Sequence, residues 1–110
     1  YRNLYKGDGF QVKELVINPH SKLSMQKHQH RSETWNLVSG TAHVVVSYDN
    51  EPTGDSAGPI DLFPDKPINI HTGVWHQGCN DSDEPAHIVE VWKGKSELMS
   101  EEDITRWDAK

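Results

Sequence analysis

Hydrophobic and polar side chains alternate with a period of two along most of the chain, the spacing of strands buried on one face. Phe10–Ile17 is rich in Val, Leu and Ile, and Pro19 closes it. Over residues 23–30, Leu23 and Met25 point one way while Ser24, Gln26, His28 and His30 point the other. Residues 33–38 and 41–48 flank Ser39-Gly40, which predicts an antiparallel pair. A polar loop over 49–58 follows, then short strands at 59–63 and 68–71 around the turn at 64–67. Thr72-Gly73 leads into a strand at 74–79, and a loop at 80–85 precedes the last strong strand at 86–92. Only the tail reads as helical: Ser100 is a candidate N-cap, Glu101, Glu102 and Asp103 fill the first turn, and residues 104–107 continue it. Many short strands at even spacing predict an all-β sandwich or closed barrel with a short C-terminal helix.

Composition narrows what such a barrel can do. The 110 residues allow one domain, 1–110, and at 34% hydrophobic content a bound metal or a partner subunit would add to its stability. No apolar run approaches the roughly 20 residues needed to span a bilayer, and no charged-then-apolar leader is visible, so no membrane role is expected. Cys79 is the one cysteine and has no internal disulfide partner, in keeping with a cytoplasmic, reducing compartment. Eleven basic residues against 17 acidic give a net charge of −6 without a Lys/Arg cluster, which argues against nucleic acid. An anionic small molecule would need local cations, and Lys13, Arg31, Lys95 and Arg106 are the candidates. A homodimer is expected from the tendency of small barrels to cover an exposed sheet edge.

The alternation also selects chemistry. Gln26, His28 and His30 fall on one face, so two imidazoles about 7 Å apart along the backbone could converge on one ion. Glu33 lies just beyond them as a hard oxygen donor, and His76 closes the site if the barrel brings its distant strand alongside. Nitrogen and oxygen donors without thiolate suit one divalent ion such as Zn, Mn, Fe, Co or Ni. His20, His43, His71 and His87 lack such company and read as surface or hydrogen-bonded residues. Cys79 reads as a small buried side chain. The tryptophans read as core or interface, with Trp35 and Trp75 nearest the candidate ligands.

The spacing His28-Gln29-His30, Glu33, Gly40, followed later by Gly73-Val74-Trp75-His76 and Asn80, resembles the two sequence motifs of the cupins. That resemblance implies a double-stranded β-helix, or jelly-roll barrel, in which His28, His30, Glu33 and His76 bind the metal. Gln26, on the same face, is the natural substitute for Glu33, because the gap from His30 to Glu33 is short for a cupin. Within the cupins, Phe10-Gln11-Val12-Lys13, then 23–35, Ser39-Gly40-Thr41-Ala42, Ile88-Val89-Glu90-Val91, Gly94 and Glu102-Asp103-Ile104-Thr105-Arg106 resemble the cupin domain of type II mannose-6-phosphate isomerases. The short gap is normal in that branch. The domain there often sits behind a mannose-1-phosphate guanylyltransferase domain. A Pro-Trp-Gly that usually precedes the first strand would fall before Tyr1, and 107–110 stand where that family carries Tyr-Gly-Arg. Arg106 matches the family's earlier arginine.

The resemblance implies interconversion of mannose 6-phosphate and fructose 6-phosphate. Glu33 or Lys13 would move the proton, and Arg31, Arg106 and Lys13 would hold the phosphate. Two other readings stay open: an Fe(II) cupin dioxygenase, and a non-catalytic metal- or sugar-binding module.

Overall fold

The computed structural model describes residues 1–52 and 58–107; the middle of the polar loop expected at 49–58 and the chain end at 108–110 lie outside them. The strands are β1 (Arg2–Gly7), β2 (Phe10–Ile17), β3 (Ser21–Lys22), β4 (Gln26–Lys27), β5 (Arg31–Ser39), β6 (His43–Ser47), β7 (Gly58–Asp61), β8 (Ile68–Ile70), β9 (Trp75–Asn80), β10 (Ala86–Gly94) and β11 (Thr105–Arg106). A single 3₁₀ turn, Ser96–Leu98, precedes β11. The strands form two antiparallel sheets, one in the order β1-β2-β10-β5-β8 and one in the order β11-β4-β9-β6-β7, with β3 beside β9. This is the expected all-β jelly roll. Among the described residues no helix is long and apolar enough to cross a membrane.

Three expectations are corrected. Residues 33–38 and 41–48 do not pair as a hairpin. β5 lies between β10 and β8 in the first sheet, and β6 between β9 and β7 in the second. The connection crosses from sheet to sheet. Gly40 has φ of 85°, and a Cβ there would stand 2.4 Å from the Pro85 carbonyl oxygen, so the turn seats on the backbone of Pro85 and Ala86.

The second correction is to the strand expected at 23–30, which keeps strand pairing only at Gln26–Lys27 and bends at Gln29-His30. The backbone N–H groups of Gln29 and His30 donate to the Asp103 carboxylate at 3.0 and 2.9 Å, which is why they leave the ladder.

The third concerns the tail. Ser100 Oγ does accept the Glu102 N–H, as a cap would. Yet Thr105 and Arg106 pair with Lys27 and Gln26, and the Trp107 N–H donates to the Met25 carbonyl. A helix of so few residues is marginal alone, and an open strand edge offers better partners.

The inside of the barrel is divided by length. On β2, β5 and β10 alternate residues face inward, and at one end these are apolar: Ile17, Leu37, Ala86 and Ile88, packed with Val44, Val46, Leu62 and Ile70. At the other end the same rows carry Gln11 and Lys13, Arg31 and Glu33, Glu90 and Trp92, all buried. Register sets them side by side: Lys13 and Trp35 both pair with Glu90, and Glu33 pairs with Trp92. A strand pattern that buries four charged side chains in one layer makes a site rather than a core.

Candidate metal centre

Glu33 is the hub of that layer. Its Oε1 accepts the Trp35 indole N–H at 2.8 Å and its Oε2 accepts the Arg31 Nε–H at 2.9 Å. His28, just beyond β4, brings Nε2 to 3.1 Å from Oε2, and His76, on β9, brings Nε2 to 3.7 Å from Oε1. The ligating atoms of His28, Glu33 and His76 all lie within 4.8 Å of one another, and all three residues are buried.

The far side of each ring decides the tautomer. His28 Nδ1 lies 2.6 Å from the Asp103 carbonyl oxygen and His76 Nδ1 lies 3.0 Å from that of Val74. A carbonyl only accepts, so each Nδ1 carries the proton and each Nε2 presents a lone pair toward Glu33. His76 Nε2 is buried without a hydrogen-bond partner. Outer hydrogen bonds that orient two imidazole lone pairs beside a carboxylate are the support a metal site needs, and the donor set fits a divalent ion.

Electrostatics agree with this placement. Burial alone would raise the Glu33 carboxyl, but its contacts with His28 and His76 and the charge of the Arg31 guanidinium hold it well below the usual carboxylate range. Burial pushes His76 down, with Glu33 opposing. Glu90 is pushed well above its ordinary value by burial, then by the charge of Glu33 and a hydrogen bond to it. Since folding raises this carboxyl, Glu90 weakens the metal-free fold progressively as pH rises from about 4.3, its unfolded value, through the folded one. Glu90→Gln, which keeps a donor toward Glu33, is expected to remove that decline. It should raise stability on the order of 1 kcal/mol at pH 8 and hardly at all at pH 4, as read by urea unfolding.

The other expected residues fall at different depths. His30 is exposed, and the structure does not bring it to the cluster: the bend held by Asp103 turns it outward. Gln26 is half-buried and pairs directly with His76. Lys13 is 2% exposed, with its ammonium against the Glu101 carboxylate and over the rings of Tyr1, at 3.6 Å, and Trp92, at 4.1 Å. Arg31 lies flat on Trp92, 3.3 Å from the ring centroid; its Nη1 donates to the Ser100 carbonyl and its Nη2 meets His28 Nε2 at 3.1 Å. Arg106 is exposed. Together with Gln26, His28, Glu33 and Lys13 it lines a cavity of about 250 Å³. Trp35 and Trp75 do not line it: Trp35 supports Glu33, and Trp75 donates to the Asn50 carbonyl.

His20 pairs with Asp83 and His43 faces Asp81, away from the cluster. Cys79 is buried, which pushes its thiol up and leaves it unreactive.

Sequence reasoning passed over Glu90, Trp92, Glu101 and Asp103. Glu90 carried a signal, a charge at an inward position of an otherwise apolar strand; Glu101 and Asp103 looked like helix-capping acids.

An antiparallel jelly roll that turns imidazoles and a carboxylate into one end of its barrel is a cupin. More narrowly, the chain belongs to the mannose-6-phosphate isomerase C-terminal family, whose model matches residues 1–109. The xanthan biosynthesis protein XanB of Xanthomonas campestris pv. campestris is 34% identical over 108 residues, covering 98% of this chain and 21% of that protein. The mannose-1-phosphate guanylyltransferase of Escherichia coli is 32% identical over 107 residues, 97% of this chain and 20% of that protein. The chain thus spans about a fifth of the length of these curated relatives. Among solved structures, the capsular polysaccharide assembling protein CapF from Staphylococcus aureus superposes with a TM-score of 0.80 at 18% identity. That match covers 97% of this chain and 31% of CapF, and it is a likeness of fold.

Proposed function

We propose that this domain is a metal-dependent isomerase of phosphorylated sugars that interconverts mannose 6-phosphate and fructose 6-phosphate. One divalent ion of the Zn, Mn, Fe, Co or Ni group would be held by His28, Glu33 and His76, with Gln26 as a neighbouring donor. The observation that carries the reading is the convergence of His28, Glu33 and His76, the first two of which also line a cavity with Lys13 and Arg106. Such an ion, when bound, stabilises the charge of an enediolate at the sugar's C1 and C2 oxygens.

The chain's own groups do the rest. Lys13, in the wall, and Arg106, at the rim, supply positive charge for the phosphate. Arg31 already gives its N–H groups to Glu33, Ser100 and His28, so it braces the Glu33 carboxylate. Isomerisation takes a proton from C2 and returns one to C1. Glu33, kept ionised, is the candidate base, and Glu90 lies hydrogen-bonded beside it. Lys13, against Glu101 and two aromatic faces, suits anchoring an anion better than taking a proton.

Incubating the full chain, loaded with each of these ions in turn, with mannose 6-phosphate is expected to yield fructose 6-phosphate. Absence of product with every ion overturns the reading. Two imidazoles and one carboxylate are also the donor set of non-haem Fe(II) oxygenases, which supports a dioxygenase as the second reading. Oxygen uptake by the Fe(II)-loaded chain with diol or thiol substrates separates the two, since isomerisation consumes no oxidant. Thermal stabilisation by metal without binding of any sugar phosphate would make the domain a non-catalytic module.

A further inference from the structure

Lys13 presents a problem of charge. A buried ammonium needs a counter-ion at all times, because taking it out of water alone costs several kcal/mol. In this structure the counter-ion is Glu101, whose side chain is 48% exposed while that of Lys13 is 2% exposed. Both residues line the cavity. The backbone on either side of Glu101 is tied down: the Ser100 carbonyl accepts Arg31 Nη1–H, and the Asp103 carboxylate accepts the Gln29 and His30 N–H groups. Glu101 is therefore an exposed, rotatable carboxylate on a fixed base, resting on the ammonium that an anionic ligand would seek.

We infer that Glu101 is a placeholder in the anion subsite: its carboxylate stands in for the ligand's anionic group on Lys13 and is displaced by a phosphate but not by an uncharged sugar. This inference rests on the sugar-phosphate reading above and names the group that keeps the anion subsite filled until a phosphorylated ligand arrives. The exchange keeps Lys13 paired throughout. A half-exposed carboxylate gives up little when it turns into solvent, where water replaces its partner. A phosphate, carrying close to two charges and three terminal oxygens, outcompetes one carboxylate for the same ammonium. A free sugar brings no charge and leaves Glu101 in place.

The test compares the full chain with Glu101→Gln at equal metal content, by calorimetric titration with inorganic phosphate, mannose 6-phosphate and mannose. Glu101→Gln is expected to bind phosphate and mannose 6-phosphate about five- to tenfold more tightly than the parent. Its mannose affinity should be unchanged, because a free sugar leaves residue 101 in place, and an equal tightening for mannose overturns the inference. In turnover, KM should fall with kcat unchanged. Phosphate affinity that is unchanged, weakened or undetectable in Glu101→Gln overturns the inference. The same tightening in a Glu101→Gln, Lys13→Met double variant overturns it too, since the gain would then not come from Lys13. Tighter phosphate binding without any isomerisation would sink the isomerase assignment and leave this inference standing.

Discussion

Glu33→Gln is expected to lower the affinity for Co(II), followed by its visible absorption, on the order of a thousandfold, and to destabilise the metal-free chain by about 3 kcal/mol. Two separate causes act. The first is loss of the charged carboxylate between His28 and His76, whose Nε2 atoms stand 3.1 Å from its Oε2 and 3.7 Å from its Oε1. The second is that Arg31, buried against Trp92, loses the carboxylate that neutralises it. Breaking a buried pair from one side leaves an uncompensated charge, which costs more than the pair contributes.

His76→Phe separates these causes. It should weaken Co(II) binding while leaving the Arg31–Glu33 pair and most of the metal-free stability intact. The pH dependence has a definite sign. Folding lowers the Glu33 carboxyl, so its stabilising contribution is fully present above about pH 4.3, the unfolded value, and is lost as pH falls through the folded one. The stability gap between parent and Glu33→Gln should accordingly shrink in acid. Undiminished Co(II) affinity in Glu33→Gln would remove Glu33 from the metal centre.

How far this site could be read in the sequence depends on which forces are local. Composition and turn signals marked Phe10–Ile17 and 86–92 as strands, but a period of two did not by itself choose their faces, since Gln11, Lys13 and Glu90 turn inward while Phe10 is exposed. The same rule misled at 23–30. It assumed the strand runs unbroken to His30, whereas partners more than 70 residues away capture the Gln29 and His30 amides. β1 gave no signal, since its residues are nearly all exposed and no alternation marks it. The Ser39-Gly40 turn was recognised but not its direction, because both flanking strands find other neighbours. Glu33 and His76 were legible as a pair from motif spacing, and the groups that orient them, Arg31, Trp35 and the Val74 carbonyl, are local, whereas the Asp103 carbonyl that orients His28 comes from distant backbone.

That backbone is the subject of the second large effect. Asp103→Ala is expected to lower Co(II) affinity ten- to hundredfold, roughly the range for groups that orient a ligand, though Asp103 offers no atom to the ion. Its carboxylate ties down both amides of the Gln29-His30 bend while its own carbonyl takes the His28 Nδ1 proton. Removing the carboxylate leaves that carbonyl present but no longer anchored, so the His28 ring loses its fixed direction and its tautomer. The cost in stability should be modest, about 1 kcal/mol, because the carboxylate is partly exposed and water replaces its bonds.

Burial works to raise the Asp103 carboxyl, but the two amides outweigh it and hold it below its ordinary value. Its contribution is present above about pH 3.9 and lost as pH falls through the folded value. Asp103→Asn, which keeps one acceptor oxygen, should recover part of the metal affinity, whereas Glu102→Ala, at an exposed neighbour, should change nothing. If Asp103→Ala binds Co(II) like the parent, the His28 ring is held by its packing against His76 and Arg31, and the C-terminal segment is only a wall of the cavity. A loss confined to metal affinity, with the fold largely intact, would show that residues 100–107 work as part of the candidate metal centre, although its nearest proposed ligand on the first motif, Glu33, lies more than 60 residues before them.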